Sequence, residues 1–148
     1  MGHDAVEIDF VMPWVDGSDP AWREEFLKYR ALQAPQGEPA CDTGTAAGAV
    51  DASEERYRDW DTLRYWFRGV ERFAPWVNRI HFITWGHLPA WLDTAHPKLH
   101  VVRHADYIPS PYLPTFNSCP IELNMHRIEG LAEHFVYFND DTFLCRPV

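Results

Sequence analysis

Two adjacent carboxylates, Asp140 and Asp141, follow the apolar run Phe135-Val136-Tyr137-Phe138. Neighbouring negative charges repel unless a cation or a proton neutralises them. Hard divalent ions such as Mg²⁺ or Mn²⁺ take oxygen ligands and leave part of their shell to phosphate and water. The pair is therefore a candidate cation site for a phosphate-bearing substrate. The plainer alternative is a turn cap beside a solvated acid.

A second group lies upstream, in Asn117-Ser118-Cys119-Pro120-Ile121-Glu122 and the His126-Arg127 that follows. On a helix Glu122 and His126 are four apart and share a face. A carboxylate beside an imidazole orients it or raises its pKa, which suits acid–base work; an ordinary surface pair is the alternative. Arg127 offers a guanidinium to a phosphate, or pairs with Glu71 or Glu133. Asn117 or Ser118 suits a helix N-cap. The third group is Trp14-Val15-Asp16-Gly17-Ser18-Asp19-Pro20, with a flexible Gly17 and several side-chain oxygens, the kind of loop that holds a nucleotide. It matches neither GxGxxG nor GxxxxGK[ST]. Thr84-Trp85-Gly86-His87 is a weaker candidate for the same pocket wall. His96, His100 and His104 fall across a turn and a strand, so no zinc site is expected there. No CxxC and no GxSxG elbow is present.

These groups need elements to hold them. Residues 7–15 read as a first strand, apolar at its centre, ending in the turn signal Asp16 to Pro20. A helix over 21–32 follows, with Asp19 or Ser18 as cap and Pro20 at its first position. Residues 33–54, rich in Pro, Gly and Ala, read as a mobile loop. Trp60, Leu63, Phe67 and Val70 predict a helix over 58–73 with Asp59 or Asp61 at its start, stopped by Ala74-Pro75. Strands are expected at 79–84 and 99–103, a short turn at 89–92 and an extended loop over 108–118. A helix over 121–130 closed by Gly130 and a last strand over 135–138 complete the pattern. Strands alternating with helices predict an α/β fold with a mainly parallel sheet. Ligands of such sheets sit at the carboxyl ends of strands, where Asp16/Asp19 and Asp140/Asp141 fall.

Composition narrows the classes. The chain has 148 residues, the size of one domain, with 46% hydrophobic and 24% charged residues. The net charge of −9 argues against a non-specific nucleic-acid binder. It is carried by residues 1–61, while residues 62–148 sum to zero. No apolar stretch approaches a membrane span, and the acidic start lacks the basic region of a secretory signal. Cys41, Cys119 and Cys145 are odd in number and scattered, which fits a reducing compartment. The 7 Trp are too many to be core filler alone, because a buried indole N–H needs a partner. Some should line a pocket, as in sugar-binding sites.

Read in order, these motifs resemble the Stealth protein family, which includes bacterial capsular polysaccharide phosphotransferases and the lysosomal-enzyme N-acetylglucosamine-1-phosphotransferase. One matching region is Ile8-Asp9-Phe10-Val11 through Trp14 to Pro20. The other begins at Arg56-Tyr57-Arg58-Asp59-Trp60-Asp61-Thr62-Leu63-Arg64-Tyr65. It continues through Ala74-Pro75-Trp76-Val77, Tyr112-Leu113-Pro114-Thr115-Phe116-Asn117-Ser118, Ile121-Glu122 and His126 to Leu131, and ends at Phe138-Asn139-Asp140-Asp141.

The resemblance implies a Rossmann-like, glycosyltransferase-A-like α/β domain that uses a divalent cation, Mg²⁺ or Mn²⁺. It implies transfer of a hexose 1-phosphate from a nucleotide sugar to a hydroxyl of a polysaccharide or glycan acceptor, without nucleic-acid partners, in the cytoplasm or at the inner face of its membrane. Carried over by motif position, Asp140 and Asp141 serve the metal and diphosphate, and Asp141 and Glu122 are active-site carboxylates. His126 and Arg127 match the family's His-Arg. Trp14, Asp16, Gly17 and Asn117 border the substrate. The family's Thr-Asp/Asn-Gly-Gln reads Thr84-Trp85-Gly86-His87 here. The family pattern also runs on past Val148, so the 148 residues are expected to be the first part of one catalytic domain. The other readings are an ordinary metal-dependent glycosyltransferase and a non-catalytic nucleotide-sugar-binding fragment.

Overall fold

A computed structural model describes residues 6–33 and 57–148. The elements run β1 (Ile8–Trp14), α1 (Pro20–Gln33), α2 (Leu63–Phe73), β2 (Ile80–Thr84), β3 (Leu99–Arg103), α3 (His104–Tyr107), α4 (Ser118–Leu123) and β4 (His134–Tyr137). Short 3₁₀ turns occupy Ser110–Tyr112 and Met125–Arg127. The four strands form one parallel sheet in the order β3-β2-β1-β4. This is the α/β architecture with a parallel sheet that the alternation of elements predicts, in the Rossmann-like form that the resemblance implies. The loop expected over 33–54 and Cys41 fall almost wholly outside the described residues; Cys119 and Cys145 are exposed free thiols.

The sheet is covered on both faces, as parallel sheets are, and β1 shows how. Successive side chains of a strand point to opposite faces. Phe10, Met12 and Trp14 pack with Leu63, Trp66 and Val70 of α2 and with Phe82 of β2. Val11 joins Ile83, Val102, Tyr107, Ile108, Met125 and Ile128 on the other face. A third cluster pins α1 to the loop before α4 through Trp22, Phe26 and Phe116. Trp22 stacks on Phe26 with ring centroids 5.0 Å apart, and Phe116 meets both edge-on.

The register creates a step between β1 and the edge strand β4. β1 pairs with β2 from Phe10↔Ile80 to Trp14↔Thr84, but with β4 only from Ile8↔His134 to Val11↔Tyr137. The last bond on the β4 side runs from the Phe138 N–H to the Val11 carbonyl. Met12, Pro13 and Trp14 therefore overhang the end of β4. The chain steps outward from β1 through β2 to β3, then returns to the far side of β1. The overhang thus sits at the point where strand order reverses, the usual ligand crevice of such sheets.

Two expected helices are corrected. The helix expected over 58–73 begins only at Leu63. Tyr57 is held at both ends: its carbonyl accepts the Gly17 N–H at 2.8 Å and its hydroxyl donates to the Phe116 carbonyl at 2.8 Å. Asp61 takes a left-handed backbone (φ 53), and its N–H bonds the Asp59 carboxylate at 3.0 Å. Residues 57–61 thus form a strap in place of the first helical turn. The helix expected over 121–130 is α4 followed by the 3₁₀ turn. It starts earlier, at Ser118, with the Asn117 side chain accepting the Cys119 N–H. It stops at Asn124, whose side-chain amide donates to the Pro120 carbonyl at 2.8 Å and so competes with helix continuation. Met125 and Ile128 are then buried from a different backbone path. The expectation that Glu122 and His126 share one helical face fails with that break. α3, inside a region not read as helical, is a single turn closed by Arg103 and Asp106.

Candidate active site at the carboxyl edge of the sheet

Every strand end contributes to this edge. Trp14 closes β1, His87 lies on the loop after β2, His104 begins the turn after β3, and Asn139 to Asp141 follow β4. A crevice in the notch between β1 and β4 is lined by Trp14, Trp22, Phe116, Tyr137, His104 and Asp140. A neighbouring crevice brings Trp14, Asp140 and Asp141 together with Arg58, Asp59 and Trp60 of the strap.

The two carboxylates crowd each other without a counter-charge among the described residues. Asp140 is exposed, yet its carboxyl is held above the ordinary carboxylate range, by desolvation first and by the Asp141 charge second, with Asp59 adding in the same direction. Among the described residues neither Asp140 nor Asp141 has an ion-pair partner. No cluster of three or more acidic, His or Cys ligands occurs among the described residues. Two carboxylates without a counter-charge suit an ion that takes one or two protein ligands and fills its shell with phosphate oxygens and water.

Glu122 approaches this site through Tyr137, whose hydroxyl donates to Glu122 Oε1 at 3.1 Å. Burial, then the Glu122 and Asp140 charges, push the Tyr137 pKa upward, so the phenol stays protonated and remains a donor.

The expected nucleotide loop is arranged differently from the acidic pair. Asp16 Oδ1 accepts from the Ser18 N–H at 2.8 Å and the Ser18 hydroxyl at 2.6 Å, so it shapes its own turn. Asp19 receives the Trp22 N–H and starts α1. Asp16 and Gly17 line a separate crevice with Arg23, Arg30 and Arg58. A Cβ on Gly17 would fall 2.5 Å from the Tyr57 carbonyl oxygen, which requires glycine where the strap crosses this loop. His87 Nε2 accepts the Asp16 N–H at 2.8 Å, so the residue at the family's Gln position braces the loop after β1. Asn117 caps α4. His126 and Arg127 are exposed on the 3₁₀ turn and line neither crevice of the acidic pair.

His104 was not singled out as a site residue by its sequence context. It is 8% exposed, lines the notch, and its Nδ1 has no hydrogen-bond partner. Burial, with the neighbouring His87 second, lowers its pKa to about 4, so it is neutral at pH 7. Trp14 Nε1 is likewise buried and unpartnered. No periodicity marks His104. The only available signal was its position directly after the third strand.

The geometry can be set beside known proteins. The model of Stealth conserved region 2 matches residues 56–148, and that of conserved region 1 matches residues 6–32. The chain belongs to the Stealth protein family. It is similar to a capsular polysaccharide phosphotransferase (WcwK) of Streptococcus pneumoniae, 56% identical over 93% of this chain and 38% of that protein. A receptor polysaccharide phosphotransferase (WefC) of Streptococcus oralis is 47% identical over 96% of this chain and 40% of its own length. A capsular polysaccharide phosphotransferase (eps5J) of Streptococcus thermophilus is 48% identical over 95% and 55%. The Stealth chain thus spans roughly two-fifths to just over half the length of these relatives. Among its described residues no helix is long and apolar enough to cross a membrane.

Proposed function

We propose that this Stealth chain carries the donor-side part of a phosphotransferase that moves a hexose 1-phosphate from a nucleotide sugar to a glycan hydroxyl in the cytoplasm. One observation carries the reading: an unpaired carboxylate pair stands at the switch point of an all-parallel sheet, beside an aromatic notch. The names of its relatives support the reaction class.

In this reading Asp140 and Asp141 hold a Mg²⁺ or Mn²⁺ ion. When bound, the cation neutralises the donor diphosphate, and phosphoryl transfer is governed by such charge neutralisation and by positioning. Trp14 and the notch hold the rest of the nucleotide, with neutral His104 offering a hydrogen bond. The acceptor oxygen forms a new bond to the sugar-bearing phosphorus as the bond to the nucleotide's phosphate oxygen breaks. A nucleoside monophosphate leaves. Glu122, oriented by the Tyr137 hydroxyl, takes the acceptor proton. Arg127, without an ion-pair partner among the described residues, is available to an anionic acceptor.

The test is product analysis with a donor labelled with ³²P in the sugar-linked phosphate. Label entering the glycan is expected. Label leaving with the nucleotide indicates sugar transfer instead, and donor binding without turnover indicates a binding module. Asp141→Asn should lower turnover by about a hundredfold or more; near-normal turnover would remove the metal assignment.

A further inference from the structure

We propose that Trp60, presented by the 57–61 strap, is a stacking platform for a pyranose ring held beside the acidic pair. The ligand class rests on the phosphotransfer reading; the platform itself rests on how the chain is folded. Trp60 is 71% exposed, the most exposed aromatic ring among the described residues. Its sequence spacing fits the inward stripe of α2, with buried Leu63 and Val70 and half-buried Phe67. Burying a large aromatic side chain is strongly favourable. The fold forgoes that burial and a helical turn, and holds Asp61 at φ 53 in doing so. The strap gains the tertiary contacts of Tyr57, but they leave the Trp60 ring in solvent, and a large exposed ring on an ordered segment marks a functional position.

The ring's surroundings specify the ligand. The Arg58 guanidinium lies over the indole, 5.1 Å from the ring centroid. It covers one face and leaves the other open. Trp60 lines one crevice with Asp59, Thr62, Asp140, Asp141 and Phe143. A pyranose has an apolar C–H face and a polar hydroxyl rim. The electron-rich indole face attracts the first, and Asp59, Thr62 and Arg58 can hydrogen-bond the second. The platform is also fixed in advance. Tyr57 is bonded at its carbonyl and hydroxyl, and Asp59 closes its turn on the Asp61 N–H. Preorganisation of this kind reduces the ordering cost of binding.

The ring could belong to the donor or to the acceptor, and the experiment separates them. The indole N–H resonance of Trp60, identified by its loss in Trp60→Phe, is followed in the ¹⁵N-labelled chain with Mg²⁺. The probes are UDP-glucose, UDP-galactose, UDP-N-acetylglucosamine and GDP-mannose, then UDP and GDP alone, then methyl glucoside, methyl galactoside and lactose. A shift with a nucleotide sugar but not with its diphosphate supports a donor ring, and a shift with the free glycosides supports an acceptor ring. Trp60→Ala should weaken binding of that sugar about tenfold, and Trp60→Tyr should stay within about threefold of wild type. Both variants should unfold at the wild-type midpoint, because the ring is exposed. A shift with UDP or GDP alone, or no shift with any sugar, overturns the proposal. The two readings also fail separately. If free glycosides move the resonance and no nucleotide sugar binds, the donor reading falls and the platform stands. If nucleotide sugars bind Trp60→Ala with wild-type affinity and no free glycoside moves the resonance, the platform falls and the donor reading stands.

Discussion

Asp9 and Asp140 are carboxylates set by the neighbouring strands β1 and β4, and their surroundings are opposite. Asp9, in β1, is fully buried. It accepts from the Ala132 N–H at 2.8 Å, the Asn78 amide at 2.8 Å and His81 Nε2 at 2.9 Å. Burial alone would raise its pKa, but these bonds outweigh it and the net direction is downward. His81 is shifted down too, by burial first, so it is neutral and its proton sits on Nε2 facing Asp9. Its Nδ1 is then an acceptor, and His100, whose Nδ1 lies 3.0 Å away, must donate. The ladder Asp9–His81–His100 ties three strands together with each proton placed. Asp140 has no such donors and sits above its ordinary range. A carboxylate that the fold has satisfied is part of the scaffold, and the one left crowded and unpaired is the one proposed above to take a ligand.

The sharpest break of this contrast is Asp9→Ala. Removing the acceptor strands three donors, the fully buried His81 imidazole among them, and breaking a buried charged network costs about 3–5 kcal/mol. Urea unfolding should show a loss of that order, or no folded protein. A loss below about 1 kcal/mol would mean that His81 and Asn78 find other partners.

A smaller effect comes from His104, another unsatisfied group at the carboxyl edge. Its pKa is about 4 in the folded chain against 6.5 ordinarily. The unfolded chain therefore binds the proton first, and stability falls as pH drops from about 6.5 to 4 and is fully present above that window. At 1.36 kcal/mol per unit the contribution is roughly 3 kcal/mol. His104→Leu should flatten the fall in unfolding midpoint between pH 7 and pH 4.5, and an unchanged slope would assign the fall to other groups.

The smallest effect is expected from Asp140→Asn. Stability at pH 7 should stay within about 0.5 kcal/mol of wild type or rise slightly, because a disfavoured charge is removed. A loss matching that of Asp9→Ala would erase the distinction between the two carboxylates.

Much of this was legible in the sequence, for identifiable reasons. The strands were readable because β1, β2 and β3 are short apolar runs bounded by turn residues, and the acidic pair was readable because it follows such a run. α1 was framed by Asp19 and Pro20. The strap was not readable. What unwinds it is Tyr57 meeting Gly17 and Phe116, a contact across 40 and 59 residues of chain that no local pattern records. The break after Leu123 depends on one amide of Asn124 reaching back to Pro120. The Glu122–Tyr137 bond joins two elements and has no spacing to betray it. Local periodicity therefore located the elements, while the contents of the site were decided by tertiary contacts.

The overhang of β1 beyond β4 acts as a vernier for the carboxyl edge of the sheet. Three strand residues, at about 3.3 Å each, make a ledge about 10 Å long. Its length is set by which residue of β4 faces Val11. A single residue inserted between Tyr137 and Asp140 would advance the carboxylates by about a third of that ledge. It would also turn them to the opposite face of the strand's path. The interval from His134 to Asp141 is thus a gauge that sets where the carboxylates stand against the ledge.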